Sequence, residues 1–216
     1  MSLQDELDQL RERVEGNLPP PSLKVVREAI AALKRAGIEA GVVKVGETAP
    51  AFALPNQDGR SRALDEALRR GPLVLTFYRG VWCSYCNADL KNLQRYVPQL
   101  EAAGASLLAI SPELPEFSMK MIRTRKLTFD ILSDAHSHVA AAYGLRWKLG
   151  EELKLLYRDH LNVNLTRYHG NDDWTLPMPA RFVVRPDGVV AYAEADADYR
   201  RRPDPDQLLE IVRAAC

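Results

Sequence analysis

A short apolar run, PLVLTFY at residues 72–78, is followed within five residues by a pair of cysteines and then by an amphipathic stretch, NADLKNLQRYVPQLEAAG at residues 87–104. The first run is rich in strand-forming residues, and the second repeats its apolar positions at a helical period. SLLAIS at residues 106–111 is strand-like again. The alternation predicts an α/β fold in which the cysteines lie where a strand leads into a helix.

The rest of the chain extends this alternation. Helical patterns at 115–126 and 136–144 flank a strand-like run at 128–134. We predict an insertion over 145–177, because this stretch is polar and mixes helical with turn signals. A hairpin over 180–184 and 189–195 and a final helix over 204–215 complete a mixed sheet with helices on both faces.

Residues 1–41 show helical patterns, whereas strand and helix patterns alternate after them. They predict an N-terminal helical extension ahead of a domain at 42–216. Apolar residues line one face of a first helix near residues 3–14, GNLPPP interrupts it, and a second helix follows at about 22–35. We expect the apolar stripe to pack on its own domain. The alternative is a homodimer contact, since two heptads are too few to indicate a coiled coil.

Composition excludes several partners. Lys plus Arg and Asp plus Glu both total 29, so the formal net charge is +0, and this balance favours neither nucleic acid nor a membrane surface. The acidic, periodic N-terminus lacks the pattern of a secretory signal, and no apolar run is long enough to span a bilayer. We therefore expect a cytoplasmic protein.

The pair Cys83 and Cys86 has C-x-x-C spacing at the predicted start of a helix. Backbone N–H groups and the helix dipole stabilise a thiolate there, and this spacing allows the two sulfurs to form a disulfide. A zinc site needs two further ligands, and neither a second C-x-x-C nor the pair His136 and His138 supplies them at a suitable spacing. We therefore expect a redox pair and no metal or other cofactor.

The sequence VGETAPAFALPNQDG at 45–59 resembles the opening of the alkyl hydroperoxide reductase and thiol-specific antioxidant family, the peroxiredoxins. The similarity continues to the C-terminus and is closest to a branch with the motif FYRG-x-WC-x-YCN. The residues that match this motif are Phe77, Tyr78, Arg79, Gly80, Trp82, Cys83, Tyr85, Cys86 and Asn87. The resemblance implies a thioredoxin-like fold, a central sheet of four or five strands with the active cysteine at the start of a long helix.

The resemblance leaves the attacking sulfur open. The peroxiredoxin pattern Pro-x-x-x-Thr-x-x-Cys makes Cys86 the peroxidatic cysteine and puts Cys83 at the threonine position, so the hydroxyl that would bind peroxide is replaced by a thiol. The thioredoxin pattern Trp-Cys-x-x-Cys falls on Trp82, Cys83 and Cys86 and makes Cys83 the nucleophile. We expect Cys86 to attack and Cys83 to resolve.

Other site residues follow from the same comparison. Pro179 stands where peroxiredoxins place an arginine and thioredoxins a cis-proline, which predicts a cis Met178–Pro179 bond. Arg181 or Arg79 could then supply the missing positive charge. Trp82 is expected to wall the site.

Several residues are expected to have no catalytic role. We expect Asp89 to be a helix-face acid in the first turn rather than a group that tunes a thiol, and His160 and His169 to be polar surface. Cys216 is expected to be inert rather than a second resolving thiol or an intermolecular partner.

The function expected is a thiol-dependent antioxidant oxidoreductase that reduces hydroperoxides through a Cys83/Cys86 dithiol-disulfide cycle, restored by thioredoxin or a similar dithiol. One alternative is a thioredoxin-like protein disulfide reductase with Cys83 as nucleophile. Another is a non-catalytic redox sensor or interaction protein whose helical extension binds a partner.

Overall fold

The central sheet of the computed structural model, which describes residues 2–215, has five strands in the order β5-β4-β3-β8-β9. These strands are β3 at Leu73–Phe77, β4 at Ser106–Ser111, β5 at Asp130–Ser133, β8 at Ala180–Val184 and β9 at Val190–Ala195. Strands β3, β4 and β5 are parallel, β8 pairs antiparallel with β3, and β9 pairs antiparallel with β8. The predicted mixed sheet is confirmed.

The middle strand β3 is buried along its whole length, as expected for a strand covered on both faces. Its side chains alternate between two apolar layers. Val74 joins the layer beneath the helices α4 (Ser84–Leu93), α5 (Val97–Ala102), α6 (Pro115–Arg125) and α10 (Leu208–Ala214). Leu73 and Leu75 join the layer beneath α3 (Leu64–Leu68) and α7 (His138–Ala142). The cysteine loop therefore begins at the end of a strand that lies in the centre of the protein.

The helix predicted over 87–104 is divided in two. Helix α4 ends at Leu93, and α5 begins at Val97 with Pro98 in its first turn. Proline has no N–H and its ring clashes with the preceding turn of a helix, but it is tolerated in a first turn. The single long helix was therefore a wrong prediction at residues 94–96, which form a turn.

Two helices precede the sheet. Helix α1 at Leu3–Gly16 begins with a capping box of Ser2 and Asp5, and its Leu3 and Leu7 are buried in the same layer as α4. Helix α2 at Pro20–Arg35 begins with prolines in its first turn. Its Val26 and Ile30 pack on a third apolar cluster. Both apolar stripes are thus covered by the same chain.

That third cluster is built by residues 145–177, the stretch predicted as an insertion. Two short strands, β6 at Arg146–Lys148 and β7 at Thr175–Pro177, pair antiparallel. Between them lie α8 at Glu151–Leu155, a π-helical turn at Leu156–His160 and α9 at Leu165–His169. The segment packs on α2 and brings Tyr157 towards the cysteine loop.

Strands β1 at Ala53–Pro55 and β2 at Ser61–Ala63 form a separate antiparallel pair. His169 is 3% exposed, so the expectation of a surface position is wrong for it; it lies at the end of α9 beside the buried Leu165. Within residues 2–215, no helix is both long enough and apolar enough to cross a membrane. Cys216 lies outside the described residues.

Candidate active site

Cys83 and Cys86 lie where the loop after β3 enters α4. Cys83 is the N-cap residue of α4, and Cys86 occupies its first turn. The two residues are 4% and 0% exposed, and both are free thiols. The first N–H groups of a helix have no partner inside it, so they are available to stabilise an anion here. The predicted position at a strand-to-helix junction is confirmed.

The loop is held by a side chain of the helix that it enters. Asn87 Nδ2 donates to the carbonyl oxygens of Val81, at 2.7 Å, and Cys83, at 2.8 Å. Arg125 Nε in turn donates to Asn87 Oδ1 at 2.8 Å. These bonds fix the backbone on both sides of Trp82 and thereby fix the direction of the Cys83 side chain.

Gly80 permits a close approach that no other residue would allow. Its φ is +150°, and a Cβ built on it would lie 2.4 Å from Trp82 Nε1 and 2.7 Å from Glu113 Oε1. Side chains are excluded at such distances. The glycine of the motif therefore lets a tryptophan and a buried glutamate reach the same side of the loop.

The two thiols have opposite acidities. Burial acts to raise the pKa of Cys83, but a hydrogen bond from the Cys86 side chain, the charges of Arg79 and Arg202, and the Cys86 backbone N–H lower it to about 5. Burial, the hydrogen bond to Cys83 and the Cys83 charge raise the Cys86 pKa well above its usual value. These influences favour the thiolate form of Cys83 and the protonated form of Cys86.

Arg79 is a buried cation enclosed by aromatic rings. Its Cζ lies 3.8 Å from the ring centroid of Tyr199, 4.9 Å from that of Trp82 and 5.7 Å from that of Tyr157. Nη2 donates to the Tyr157 hydroxyl, while Nε and Nη1 have no hydrogen-bond partner among the described residues. No carboxylate within residues 2–215 pairs with this guanidinium, and its positive charge lowers the pKa of Cys83.

A second buried group lies on the other side of the cysteines. Arg202 Nη2 lies 3.3 Å from Cys86 Sγ, and Arg202 Nε lies 3.3 Å from Asp89 Oδ2. Arg181 donates to Asp89 Oδ1 at 2.7 Å and to the Pro203 carbonyl oxygen at 3.0 Å. One carboxylate therefore pairs with two guanidiniums. The positive charge of Arg202 is only partly neutralised, and it acts on Cys86.

This arrangement changes two expectations. Asp89 lies beyond the first turn of α4, so the expected first-turn position is wrong. It is 1% exposed and pairs with Arg181 of β8 and with Arg202. Arg181 lies in the site region, but its charge is neutralised by Asp89. The structure brings Arg79, not Arg181, to the Cys83 thiolate.

Pro179 lies between β7 and β8 in an apolar cleft that Arg79 also lines. The Met178–Pro179 bond is trans, so the predicted cis bond is wrong. The chain runs from β7 to β8 without a turn, and Met178 N–H donates to the Leu145 carbonyl oxygen, so the local path favours the trans form. The residues lining the cleft are Val26, Ala29, Ile30, Leu33, Arg79, Trp147, Leu153, Tyr157, Pro177, Met178, Pro179, Ala197 and Tyr199.

The Trp82 ring lies edge-to-face on the ring of Tyr157, with 5.7 Å between the ring centroids. Sequence reasoning missed four residues around the site: Tyr157, Tyr199, Arg202 and Glu113. They come from three separate parts of the chain and share no motif with the cysteines. The only local signal was for the last of them, an acidic residue at the end of a predicted strand.

Comparison with known proteins agrees with this site. The AhpC/TSA family model matches residues 45–193. A Mycobacterium tuberculosis (strain H37Rv) protein described as a peroxiredoxin is 31% identical over 104 residues, 48% of this chain and 68% of the relative. The thiol-disulfide oxidoreductase ResA of Geobacillus thermodenitrificans is 32% identical over 108 residues, 50% of this chain and 61% of ResA.

A solved structure extends the likeness to the fold. Peroxidoxin BcpB from Mycobacterium tuberculosis superposes with a TM-score of 0.63 at 24% identity, covering 81% of this chain and 99% of that one. The family match spans the strand, the cysteine loop, α4 and the β8–β9 hairpin that together form the site. The chain therefore belongs to the AhpC/TSA family, and it is a thiol-dependent oxidoreductase with a thioredoxin-like fold.

Proposed function

We propose that the protein reduces small hydroperoxides and that Cys83 is the attacking sulfur. The observation that carries this proposal is the buried Arg79 guanidinium, which acts on the Cys83 thiolate and keeps two N–H donors unpartnered among the described residues. Donors beside a thiolate can bind the oxygen atoms of a peroxide while the sulfur attacks. The aromatic rings around Arg79 exclude water, which strengthens these interactions.

The burial of the thiols favours a small substrate. Cys83 is 4% exposed, so a disulfide on the surface of another folded protein could reach it only after the wall of the site had moved. A hydroperoxide presents two oxygen atoms on a slender group, which suits a site with so little open space. The apolar cleft that Arg79 lines is also lined by Val26, Ala29, Ile30 and Leu33 of α2, so the helical extension forms one of its walls.

The chemistry proceeds in three steps. The Cys83 thiolate attacks the terminal peroxide oxygen, the O–O bond breaks, and the alkoxide takes up a proton to give a sulfenic acid on Cys83 and an alcohol. Cys86 then attacks the Cys83 sulfur, and water leaves as the disulfide forms. A thioredoxin-like protein or another dithiol reduces the disulfide and is itself oxidised.

The same site prepares the second sulfur once the first has reacted. The hydrogen bond to Cys83 and the Cys83 charge both act to raise the Cys86 pKa, after burial itself. Oxidation of Cys83 removes its negative charge, while the Arg202 guanidinium remains 3.3 Å from Cys86 Sγ. The Cys86 pKa therefore falls when a thiolate is needed there.

This assignment reverses the order expected from the peroxiredoxin pattern, in which Cys86 attacks. Cys86 is fully buried and has a raised pKa, whereas Cys83 is the N-cap residue and has the lower pKa. Two cations act on the Cys83 thiolate, and a cation stabilises the anionic form of its neighbour.

A second candidate is disulfide reduction with the same nucleophile. It is favoured by the order Trp82-Cys83-x-x-Cys86 at the start of a helix, in which the first cysteine attacks in thioredoxins, and by the likeness to ResA. Such an enzyme would exchange thiolate for disulfide at Cys83 and resolve through Cys86. Its substrate would be a peptide or small disulfide able to enter the cleft.

Rapid mixing separates these readings. Reduced protein carrying Cys216→Ser as the common background is mixed with hydrogen peroxide, with cumene hydroperoxide or with oxidised insulin. We expect fast oxidation by a hydroperoxide that is abolished by Cys83→Ser. In Cys86→Ser the first step persists and stops at a sulfenic acid that dimedone traps.

The other outcomes are equally distinct. Loss of the first step in Cys86→Ser with its survival in Cys83→Ser would contradict the assignment and restore Cys86 as the peroxidatic cysteine. Reaction with insulin alone would support the disulfide reductase. Failure of all three substrates would overturn the proposed function.

A further inference from the structure

Glu113 is a buried carboxyl group that the cysteine cycle described above does not use. It follows β4 and is 1% exposed. Both of its oxygens share one donor, the Val81 N–H, at 2.9 Å and 2.8 Å. Val81 belongs to the cysteine loop and lies two residues before Cys83. The carboxyl group is therefore tied to the backbone that carries the nucleophile.

The surroundings of Glu113 do not provide what a buried carboxylate needs. A charged carboxylate has about four acceptor positions and is costly to bury without a cation. Within residues 2–215 no Lys, Arg or His side chain forms an ion pair with Glu113. The backbone N–H of Val81 is the one group among these residues that donates a hydrogen bond to its carboxyl oxygens. These contacts suit a protonated carboxylic acid better than a carboxylate.

Burial and the charge of Cys83 also favour the protonated form of Glu113. Burial, followed by the negative charge of Cys83, raises the pKa of Glu113 to about 8, against the opposing influences of the Val81 N–H and of Lys120. Tyr78 is the other titratable group coupled to Glu113, and its own burial keeps its hydroxyl protonated. The proton on Glu113 is thus linked to the thiolate on Cys83, and loss of the thiolate charge lowers the affinity of Glu113 for that proton.

We propose that Glu113 is the proton store of the site, which keeps its proton while Cys83 is a thiolate and supplies it to the leaving group when Cys83 is oxidised. With a hydroperoxide as substrate, the Glu113 proton is the only proton that this step requires. The Cys83 sulfur forms a bond to the terminal oxygen, the O–O bond breaks, the alkoxide takes the Glu113 proton, and the negative charge passes from Cys83 to Glu113. Sulfur is oxidised, the peroxide is reduced, and no proton from solvent is needed.

This inference rests on the proposed function, since it assigns the proton for that reaction. The Gly80 gap supports it independently, because the absence of a side chain there lets Glu113 Oε1 approach the loop beside Trp82 Nε1, which has no partner among the described residues. A backbone carbonyl oxygen would be enough to accept the hydrogen bond of the Val81 N–H. Here the acceptor is the carboxyl group of Glu113, which can also donate a proton.

The test is Glu113→Gln in the Cys86→Ser, Cys216→Ser background, where the reaction stops after the first step. Glutamine keeps an acceptor for the Val81 N–H but has no proton to donate. The control is Glu116→Gln, which changes an exposed glutamate on α6. Proton uptake is followed with a pH indicator in weak buffer during oxidation by cumene hydroperoxide.

We expect the Glu113→Gln variant to take up one more proton from solvent per Cys83 oxidised than the parent does, and to react roughly 10²-fold more slowly. The parent rate should also fall as pH rises through about 8, and this decline should be absent in Glu113→Gln and present in Glu116→Gln. Equal proton uptake and the same alkaline decline in Glu113→Gln and its parent would overturn the inference.

A measurement on the unsubstituted protein guards against a variant that folds poorly. Infrared difference spectra of oxidised minus reduced protein should show loss of a carboxylic acid C=O band and gain of carboxylate bands. A spectrum without the carboxylic acid loss, in a protein that does react with peroxide, overturns the role of Glu113 and leaves the proposed function intact. A protein that does not react at all instead overturns the proposed function.

Discussion

Arg202 Nη2 lies 3.3 Å from Cys86 Sγ, although 116 residues separate the two in the chain. The same guanidinium contacts Asp89, so its position is fixed from the side away from the sulfur. Arg202 also lowers the Cys83 pKa, after Arg79, but the sulfur that its side chain contacts is that of Cys86. We therefore expect Arg202 to act mainly when Cys86 must ionise, in the resolving half of the cycle.

Arg202→Gln should slow disulfide formation more than the first oxidation step. A hydrogen bond to a charged group contributes about 1.5–3 kcal/mol, which corresponds to about tenfold or more in the rate at which Cys86 attacks the sulfenic acid. Two-phase stopped-flow fluorescence after mixing with peroxide measures both steps. The control is Arg201→Gln, which changes an exposed neighbour. A first phase slowed as much as the second would contradict this division of roles.

Arg79 should act mainly on the first step. Removing a cation next to an anion raises the pKa of the anion by about 1 to 3, so Arg79→Met should move the Cys83 pKa from about 5 towards neutrality. The rate of peroxide reduction at pH 6 should then fall by tenfold or more. Arg79→Lys keeps a charge but lacks the planar group that stacks on Tyr199, and we expect an intermediate value.

The ultraviolet absorbance of the thiolate, titrated in the Cys86→Ser, Cys216→Ser background, gives this pKa directly. In that background Arg79→Met and its parent differ only in the guanidinium. An unchanged pKa in Arg79→Met would show that the helix N-terminus and the remaining guanidinium suffice to hold the thiolate.

The sequence predicted the part of the site that is local in the chain. A β-rich run, a C-x-x-C pair and an amphipathic helix follow one another within 33 residues at 72–104, so strand, loop and helix start could be placed from their own patterns. Arg79 and Trp82 belonged to the same motif. The family resemblance added the correct fold, with a central sheet and the cysteines at the start of a helix.

The rest depended on contacts made between distant segments. Tyr199 and Arg202 come from a loop near the C-terminus, Tyr157 from the segment predicted as an insertion and Glu113 from the end of β4. Nothing in their local sequence indicates burial beside a sulfur. The order of the two cysteines was likewise open, because their pKa values depend on burial, on the hydrogen bond between the two thiols and on the charges of Arg79 and Arg202, which the spacing alone does not determine.

The stability of the reduced protein should carry two opposing pH dependences. Cys83 has a folded pKa of about 5 and an unfolded value of about 8.5. Its contribution is fully present above the unfolded value and is lost as pH falls towards 5. Glu113 has a folded pKa of about 8 and an unfolded value of about 4.3. Its contribution is fully present below the unfolded value and is lost as pH rises through 8.

Between pH 5 and 8 these two dependences largely cancel in the unsubstituted protein. Relative to it, the free energy of unfolding of Glu113→Gln should rise with pH in this window, and that of Cys83→Ser should fall. Urea denaturation under reducing conditions at several pH values measures both slopes. Burial, the largest influence on the pKa values of Glu113 and Cys86, is retained when Cys83 is replaced, so slopes of the same sign in the two variants would contradict the assignment of both protons.

Asp89 should be the residue of this site on which folding depends most. Its carboxylate is the anion for Arg181 at 2.7 Å and for Arg202 at 3.3 Å, and all three side chains are at most 2% exposed. Removing one member of a buried ion pair costs about 3–5 kcal/mol, because a charge is left buried without a partner. Asp89→Asn should therefore lower the free energy of unfolding by about 3 kcal/mol or more in urea denaturation. Asp65→Asn, which breaks an ion pair with Arg69 whose side chains are 75% and 70% exposed, should change it by only about 0.5 kcal/mol. Similar losses in the two variants would mean that the buried guanidiniums find other partners when Asp89 is replaced.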